Sequence, residues 1–169
     1  TSMLRFTKQV GAEIRFIEYM DVGGANKWRQ EQVVSHAEIL NIIEEEFGTV
    51  SPLQAPKHAP AQTFSLDSGQ TFGIIASTTK PFCSSCDRSR ITADGVWYHC
   101  LYSPSGINLR DHLRRDEGLG NLEALMTRHW TSRRDQGAKD RLIADNRGPL
   151  IPLSQLKRNP RLEMHTRGG

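Results

Sequence analysis

Hydrophobic and polar positions alternate across residues 13–18, Glu-Ile-Arg-Phe-Ile-Glu, which is the two-residue period of a half-buried strand. From Tyr19 to Gln32 the period is lost, and Asp21, Gly23, Gly24 and Asn26 mark a loop. A helical period follows. Ser35 is a suitable N-cap with Glu38 three residues on, forming a capping box. Ile39, Ile42, Ile43 and Phe47 recur at helical spacing until Gly48 supplies the stop. Strand, loop and helix make one α/β unit, and the loop after the strand is where such units place ligand contacts.

Residues 49–60 hold three prolines and read as a connector. Two short strands, 63–66 and 71–76, flank the hairpin loop Asp67-Ser68-Gly69-Gln70. Lys80-Pro81-Phe82 then leads into a cysteine loop. Strands over 88–92 and 96–101 are joined by Asp94-Gly95, a strong hairpin signal. Cys83 and Cys86 thus fall on a loop and Cys100 on the returning strand, so the turn can bring all three together. Asn108 can cap a short helix through Arg114, and Leu122, Leu125, Met126 and Trp130 stripe one face of a second. The tail from Thr131 is basic and rich in Pro and Gly, and no element is predicted there. There is no internal repeat.

A length of 169 residues suits one domain or two small ones, and it is too short for a complete (β/α)8 barrel of about 250 residues. Hydrophobic residues make 37% and charged residues 24%, with a mean hydropathy of −0.53, values of a soluble globular chain. No apolar run approaches the roughly 20 residues of a membrane span, and the first residues lack the apolar stretch of a secretory signal. The first methionine stands at position 3, so the natural start is expected upstream. Net charge is +3, yet residues 108–169 hold 13 Lys/Arg against 8 Asp/Glu. The basic surplus is concentrated in that last third.

The three cysteines, Cys83, Cys86 and Cys100, cannot all pair, and two of them have the Cys-x-x-Cys spacing. With no secretory signal, this is a metal or redox site in a reducing, cytoplasmic setting. Structural zinc would need a fourth ligand, with His99 or His112 the obvious completions. On a strand, His99 would point away from the face of Cys100. A [4Fe–4S] cube normally takes four cysteines; three would leave one iron open to a substrate atom. From the residues alone, zinc and iron–sulfur remain even. Arg88 and Arg90, at i and i+2, would share one strand face, and paired guanidinium forks match phosphate oxygens. His36 and His58 are expected at the surface, one of Trp97 and Tyr98 in the core, and Arg133, Arg134, Lys139 and Arg141 as a solvated run.

The segment Phe82-Cys83-Ser84-Ser85-Cys86-Asp87-Arg88-Ser89-Arg90-Ile91-Thr92-Ala93-Asp94-Gly95, with Cys100-Leu101, resembles the C-terminal cluster motif of MoaA-type GTP 3′,8-cyclases, radical SAM enzymes of molybdenum cofactor biosynthesis. Residues 15–24, Arg-Phe-Ile-Glu-Tyr-Met-Asp-Val-Gly-Gly, resemble a late barrel strand and loop of that family, and Gly168-Gly169 its double-glycine tail. One feature departs from the pattern: the chain has no Cys-x3-Cys-x2-Cys for a SAM cluster.

The resemblance implies the C-terminal half of such an enzyme, inactive alone, with the N-terminal radical SAM half as its partner. The implied fold is α/β: the last part of an incomplete radical SAM (TIM-like) barrel over 1–60, then a small α+β cluster-binding region over 61–169. Cys83, Cys86 and Cys100 would ligate a [4Fe–4S] cluster whose open iron meets the guanine of GTP. Arg15, Arg88 and Arg90 would engage the nucleotide, Met20 would contact S-adenosylmethionine, and Gly168 and Gly169 would reach the active site. In the implied reaction a SAM-derived radical takes hydrogen from ribose C3′, and the carbon radical closes onto guanine C8. A rival reading is a zinc-stabilised binding module; on the cyclase reading no nucleic-acid or membrane partner is expected. An incomplete barrel exposes strand edges, so self-association to a homodimer is expected of the isolated chain.

Overall fold

The computed structural model describes residues 1–23, 27–54, 56, 58–115 and 118–167. Backbone contacts divide the chain into two compact units, Thr1–Met20 with Arg29–Cys86, and Asp21–Trp28 with Asp87–Gly169. The architecture is mixed α/β, with one sheet in each unit.

In the first unit, helix α1 (Ser2–Val10) precedes strand β1 (Ile14–Ile17). Helix α2 (His36–Phe47) starts at the capping box read from the sequence: Ser35 accepts from the Glu38 N–H, and the Glu38 carboxylate accepts from the Ser35 N–H at 2.8 Å. These Ser35 hydrogen bonds hold the Glu38 carboxyl below its ordinary value. Strands β2 (Val50–Pro52), β3 (Gln62–Leu66) and β4 (Thr71–Ile75) complete a sheet in the order β1-β4-β3-β2. β1 runs parallel to β4, with Arg15 opposite Gly73, and the other pairs are antiparallel.

One face of this sheet carries the core. Leu4 of α1 and Ile43 of α2 pack with Phe64, Leu66, Phe72 and Ile74. Phe64 stacks on Phe72 at 5.4 Å, and Phe16 meets Phe72 edge-on, an offset geometry that aromatic quadrupoles favour. The alternation of β1 follows the apolar and polar pattern at Ile14, Arg15 and Phe16, but at its end apolar Ile17 is exposed and polar Glu18 is buried. Two elements differ from expectation. The residue pattern does not predict α1, and the connector at 49–60 contains β2. Pro52 is tolerated there because β2 is an edge strand, where a missing N–H costs no ladder bond.

The second unit holds a three-stranded sheet, β5 (Arg90–Ile91), β6 (Val96–Tyr98) and β7 (Ile107–Asn108), all antiparallel. Gly95, at φ 84°, closes the β5–β6 turn in a conformation that L side chains resist. Asn108 caps α3 (Leu109–Arg114) by accepting from the Asp111 N–H at 3.1 Å, as its position implied. α4 (Leu119–Thr131) is the striped helix. The tail read as irregular forms two further short helices, α5 (Gly137–Leu142) and α6 (Leu153–Arg158). Both strands of the hairpin are shorter than expected. The register pairs Arg90 with Tyr98, and its continuation would set Arg88 opposite Cys100, where the chain turns instead: the Ser103 N–H donates to the Cys100 carbonyl at 3.2 Å. Cys100 therefore sits in a bend after β6 and not on the strand itself.

Candidate functional site

In the first unit, Cys83 is the first residue of a single 3-10 turn, Cys83–Ser85, and Cys86 caps its end, the Cys86 N–H donating to the Cys83 carbonyl at 3.2 Å. Both are half-buried and neither is in a disulfide. The Cys-x-x-Cys spacing thus puts both thiols on one short segment around a tight turn, the spacing that paired metal ligands commonly use. His58 is exposed, as expected, but it is not remote from this turn, since its Nδ1 lies 2.9 Å from the Ser85 carbonyl oxygen.

The approach to the turn is tied to the end of β1 by Glu18, which the sequence reading left unremarked. Its side chain is 2% exposed. The carboxylate accepts from the His36 N–H (2.8 Å), the Thr78 N–H (2.8 Å), the Thr79 N–H (2.7 Å) and the Thr79 hydroxyl (2.5 Å). A buried carboxylate is stable only when so paired. The Thr78 hydroxyl donates to the Tyr19 carbonyl at 3.1 Å, so the two residues before Met20 are both anchored. Beside the cysteine turn lies a cleft of about 300 Å³ lined in part by His36, Gln62, Lys80, Phe82, Ser84 and Ser85.

Arg15 stands on the sheet face opposite the helices, and its path depends on its neighbour in β4. A Cβ built on Gly73 would lie 3.2 Å from Arg15 Cγ and 3.2 Å from Ala61 Cβ. The arginine stem thus crosses over a residue with no side chain, and its Nε reaches Glu13 at 3.3 Å.

In the second unit, burial alternates from Asp87 to Thr92, with Arg88, Arg90 and Thr92 the more buried set. Asp87, Ser89 and Ile91 instead line a cleft of about 450 Å³ with Trp97, Met126 and Trp130. Arg88 and Arg90 therefore share the face turned from that cleft, although only Arg90 is in the strand. Arg133 donates through Nη1 to the Arg88 carbonyl at 2.9 Å, pairs with Asp135 at 3.3 Å and lies over the Trp130 ring at 4.9 Å. It is not part of a solvated run, nor is Arg141.

Trp97, not Tyr98, is the core member of its pair, at 4% exposure. His99 packs edge-on against Trp97 and Trp130, and burial there lowers its imidazole below the ordinary value despite Asp135 at 4.0 Å. The half-buried Cys100 thiol lies against α5: a Cβ added to Gly137 would be 3.0 Å from its Sγ and 2.5 Å from Tyr102 Cβ.

Asp21 is fully buried in this unit. Its carboxylate accepts from Arg141 Nε (2.8 Å), Arg147 Nε (3.0 Å) and the Tyr102 hydroxyl (3.0 Å). Its carbonyl accepts from the Leu150 N–H at 2.6 Å, and Arg141 also donates to the Gly148 carbonyl. Arg147 lies over the buried Trp28 ring at 5.2 Å. Burial alone would raise the Asp21 carboxyl, but the hydrogen bonds from Arg147 and Arg141, then their charges, hold it below its ordinary 3.8. Burial, then the Asp21 charge, pushes the Tyr102 phenol well above its ordinary range. In the sequence Asp21 looked like a turn residue; the only hint of its role was the arginine surplus of the last third.

The profile of the Molybdenum Cofactor Synthesis C family matches residues 12–139. The chain belongs to this family. It is 54% identical over 169 residues to the protein named GTP 3′,8-cyclase 1 of Mycobacterium tuberculosis (strain CDC 1551 / Oshkosh), covering 99% of this chain and 46% of that relative. It is 48% identical over 169 residues to GTP 3′,8-cyclase 3 of Mycobacterium bovis, covering 100% and 45%. With GTP 3′,8-cyclase of Aquifex aeolicus the identity is 38% over 167 residues, covering 99% and 46%. The chain spans about half the length of the curated relatives it matches, in keeping with its recognition as the C-terminal half of a MoaA-type cyclase.

In this member of the molybdenum cofactor synthesis family, Cys83 and Cys86 belong to the first unit and Cys100 to the second. Among the described residues, no three or more His, Cys, Asp and Glu side chains are gathered to hold a metal ion. Gly168 and Gly169 lie outside the described residues. Among the described residues, no helix is long and apolar enough to cross a membrane.

Proposed function

We propose that this chain is the GTP- and cluster-binding half of a GTP 3′,8-cyclase of molybdenum cofactor biosynthesis. The observation that carries the reading is 54% identity, over 99% of the chain, to a protein of that name. Its supports in the chain are three cysteines with the Cys-x-x-Cys spacing and two arginines that share one face just after it in the sequence.

The donor chemistry fits a [4Fe–4S] cluster better than structural zinc. Three soft thiolates with no fourth cysteine suit a cube that keeps one open iron, and His99, one of two candidates for a fourth zinc ligand, packs against Trp97 and Trp130. Cys83, Cys86 and Cys100 would hold the cluster, which when bound would supply a Lewis-acidic iron for the guanine base. Arg88 and Arg90 would bind phosphate oxygens through their planar forks, and Arg15 would face the nucleotide from β1. Met20 would meet S-adenosylmethionine through the backbone of its anchored loop. Gly168 and Gly169 would pass beside the substrate, where residues without side chains fit.

The chain's own residues would orient the nucleotide and exclude water, while SAM cleavage belongs to a radical SAM half that this chain does not contain. On this reading residues 1–60 end a TIM-like barrel, residues 61–169 form the cluster-binding region, and the isolated chain is cytoplasmic, inactive and prone to dimerise. Calorimetry with GTP tests the arginine roles. Arg88→Ala is expected to weaken binding by about 1.5–3 kcal/mol, the value of one charge-assisted contact; unchanged affinity contradicts the assignment.

A further inference from the structure

Asp21, Tyr102, Arg141 and Gly137 form a closed ring of contacts, and the Cys100 thiol lies against it at Gly137. Tyr102 stands two residues beyond Cys100 and touches α5 at one end and Asp21 at the other. Its Cβ faces Gly137, where an added Cβ would approach to 2.5 Å, and its hydroxyl donates to Asp21 at 3.0 Å. Gly137 and Arg141 are four residues apart on α5, hence on one helix face. Arg141 closes the ring by pairing with Asp21 at 2.7 Å, and Arg147, 3% exposed, braces the same oxygen at 3.0 Å.

The ring is demanding in two physical ways. A carboxylate with no exposure requires all of its donors, so Asp21 fixes Tyr102 and Arg141 relative to one another. The absence of a Cβ at Gly137 then lets the Cys100 thiol lie directly against α5. Neither feature is needed to form the β5–β6 hairpin, whose ladder ends at Tyr98.

We infer that Asp21 is a positioning residue which, through Tyr102 and Arg141, fixes the Cys100 thiol against Gly137, the placement in which it would serve as a thiolate ligand. The inference deepens the three-thiolate reading proposed above and rests on it. Outer partners that orient ligands commonly tune a metal site as strongly as the ligands themselves.

Anaerobic titration of the whole reduced chain with cobalt(II) tests it, since thiolate-to-cobalt absorption reports how many thiolates bind. Cys100→Ser supplies the two-thiolate reference. Tyr102→Phe removes only the hydroxyl, and Gly137→Ala removes only the space. Alanine is the better helix former, so a loss in that variant does not come from a weaker α5.

Where the parent chain shows a third thiolate, both variants are expected to fall to the Cys100→Ser intensity while Cys83 and Cys86 still bind. Parent-like bands in the variants overturn the inference and leave the three-thiolate reading standing. If the parent chain itself matches Cys100→Ser, the three-thiolate reading fails, and amide hydrogen exchange over residues 99–103 decides the positioning role. Exchange faster by on the order of tenfold in Tyr102→Phe sustains it; unchanged exchange overturns it.

Discussion

Arg133 holds the backbone of Arg88: its Nη1 donates to the Arg88 carbonyl at 2.9 Å while its guanidinium lies over Trp130 and pairs with Asp135. The side chain is 10% exposed, so an arginine of the tail acts as a strut for the arginine proposed to bind phosphate. Arg133→Ala is expected to lower unfolding free energy by about 1.5–3 kcal/mol, one charge-assisted hydrogen bond. In the same variant GTP affinity falls although Arg88 is retained. Denaturant unfolding and calorimetry read the two effects, and full affinity in Arg133→Ala contradicts the strut.

Glu18 anchors the start of α2 and the segment before the cysteine turn through one carboxylate. Glu18→Gln keeps the size but leaves a single acceptor oxygen for donors that now meet two. The expected loss is about 1.5–3 kcal/mol, that of a hydrogen bond to a charged group, read by urea unfolding. A change within about 0.5 kcal/mol, as at ordinary surface sites, contradicts this role.

The Asp21–Tyr102 pair gives stability two pH limbs. The folded Asp21 carboxyl lies below its ordinary 3.8, so its contribution is complete above that pH and lost as pH falls through the folded value. The folded Tyr102 phenol lies above its ordinary 10.0. Its contribution is therefore present below pH 10 and lost as pH rises beyond. Asp21→Asn is expected to be less stable at neutral pH and to flatten the acid limb, and Tyr102→Phe to flatten the alkaline one. Melting temperatures from about pH 2.5 to 11 read both limbs; parent-shaped profiles in the variants contradict the assignment.

The local signals in the sequence carried far. Ser35 with Glu38, Asn108 with Asp111, Asp94-Gly95 and the alternation around Arg15 each specify a structure within a few residues, and each forms as read. What was illegible depends on distant partners. β2 was hidden by Pro52, whose edge position is a property of the sheet. α5 and α6 are six residues each, too short for a period to emerge from a basic background. At the candidate site, the tight turn that joins Cys83 to Cys86 was legible because the spacing itself implies it. Glu18 and Asp21 were not, because nothing local distinguishes a buried acid from a turn acid, and their partners lie 18–61 and 81–126 residues away.

The central claim, a three-cysteine iron–sulfur site that meets GTP, is tested most directly on anaerobically reconstituted chain. Iron, zinc and acid-labile sulfide are counted, and GTP is then titrated under electron paramagnetic resonance. The account predicts about four irons and four sulfides per chain, with a reduced-cluster signal that GTP perturbs. One zinc, no sulfide and no response to GTP would contradict it.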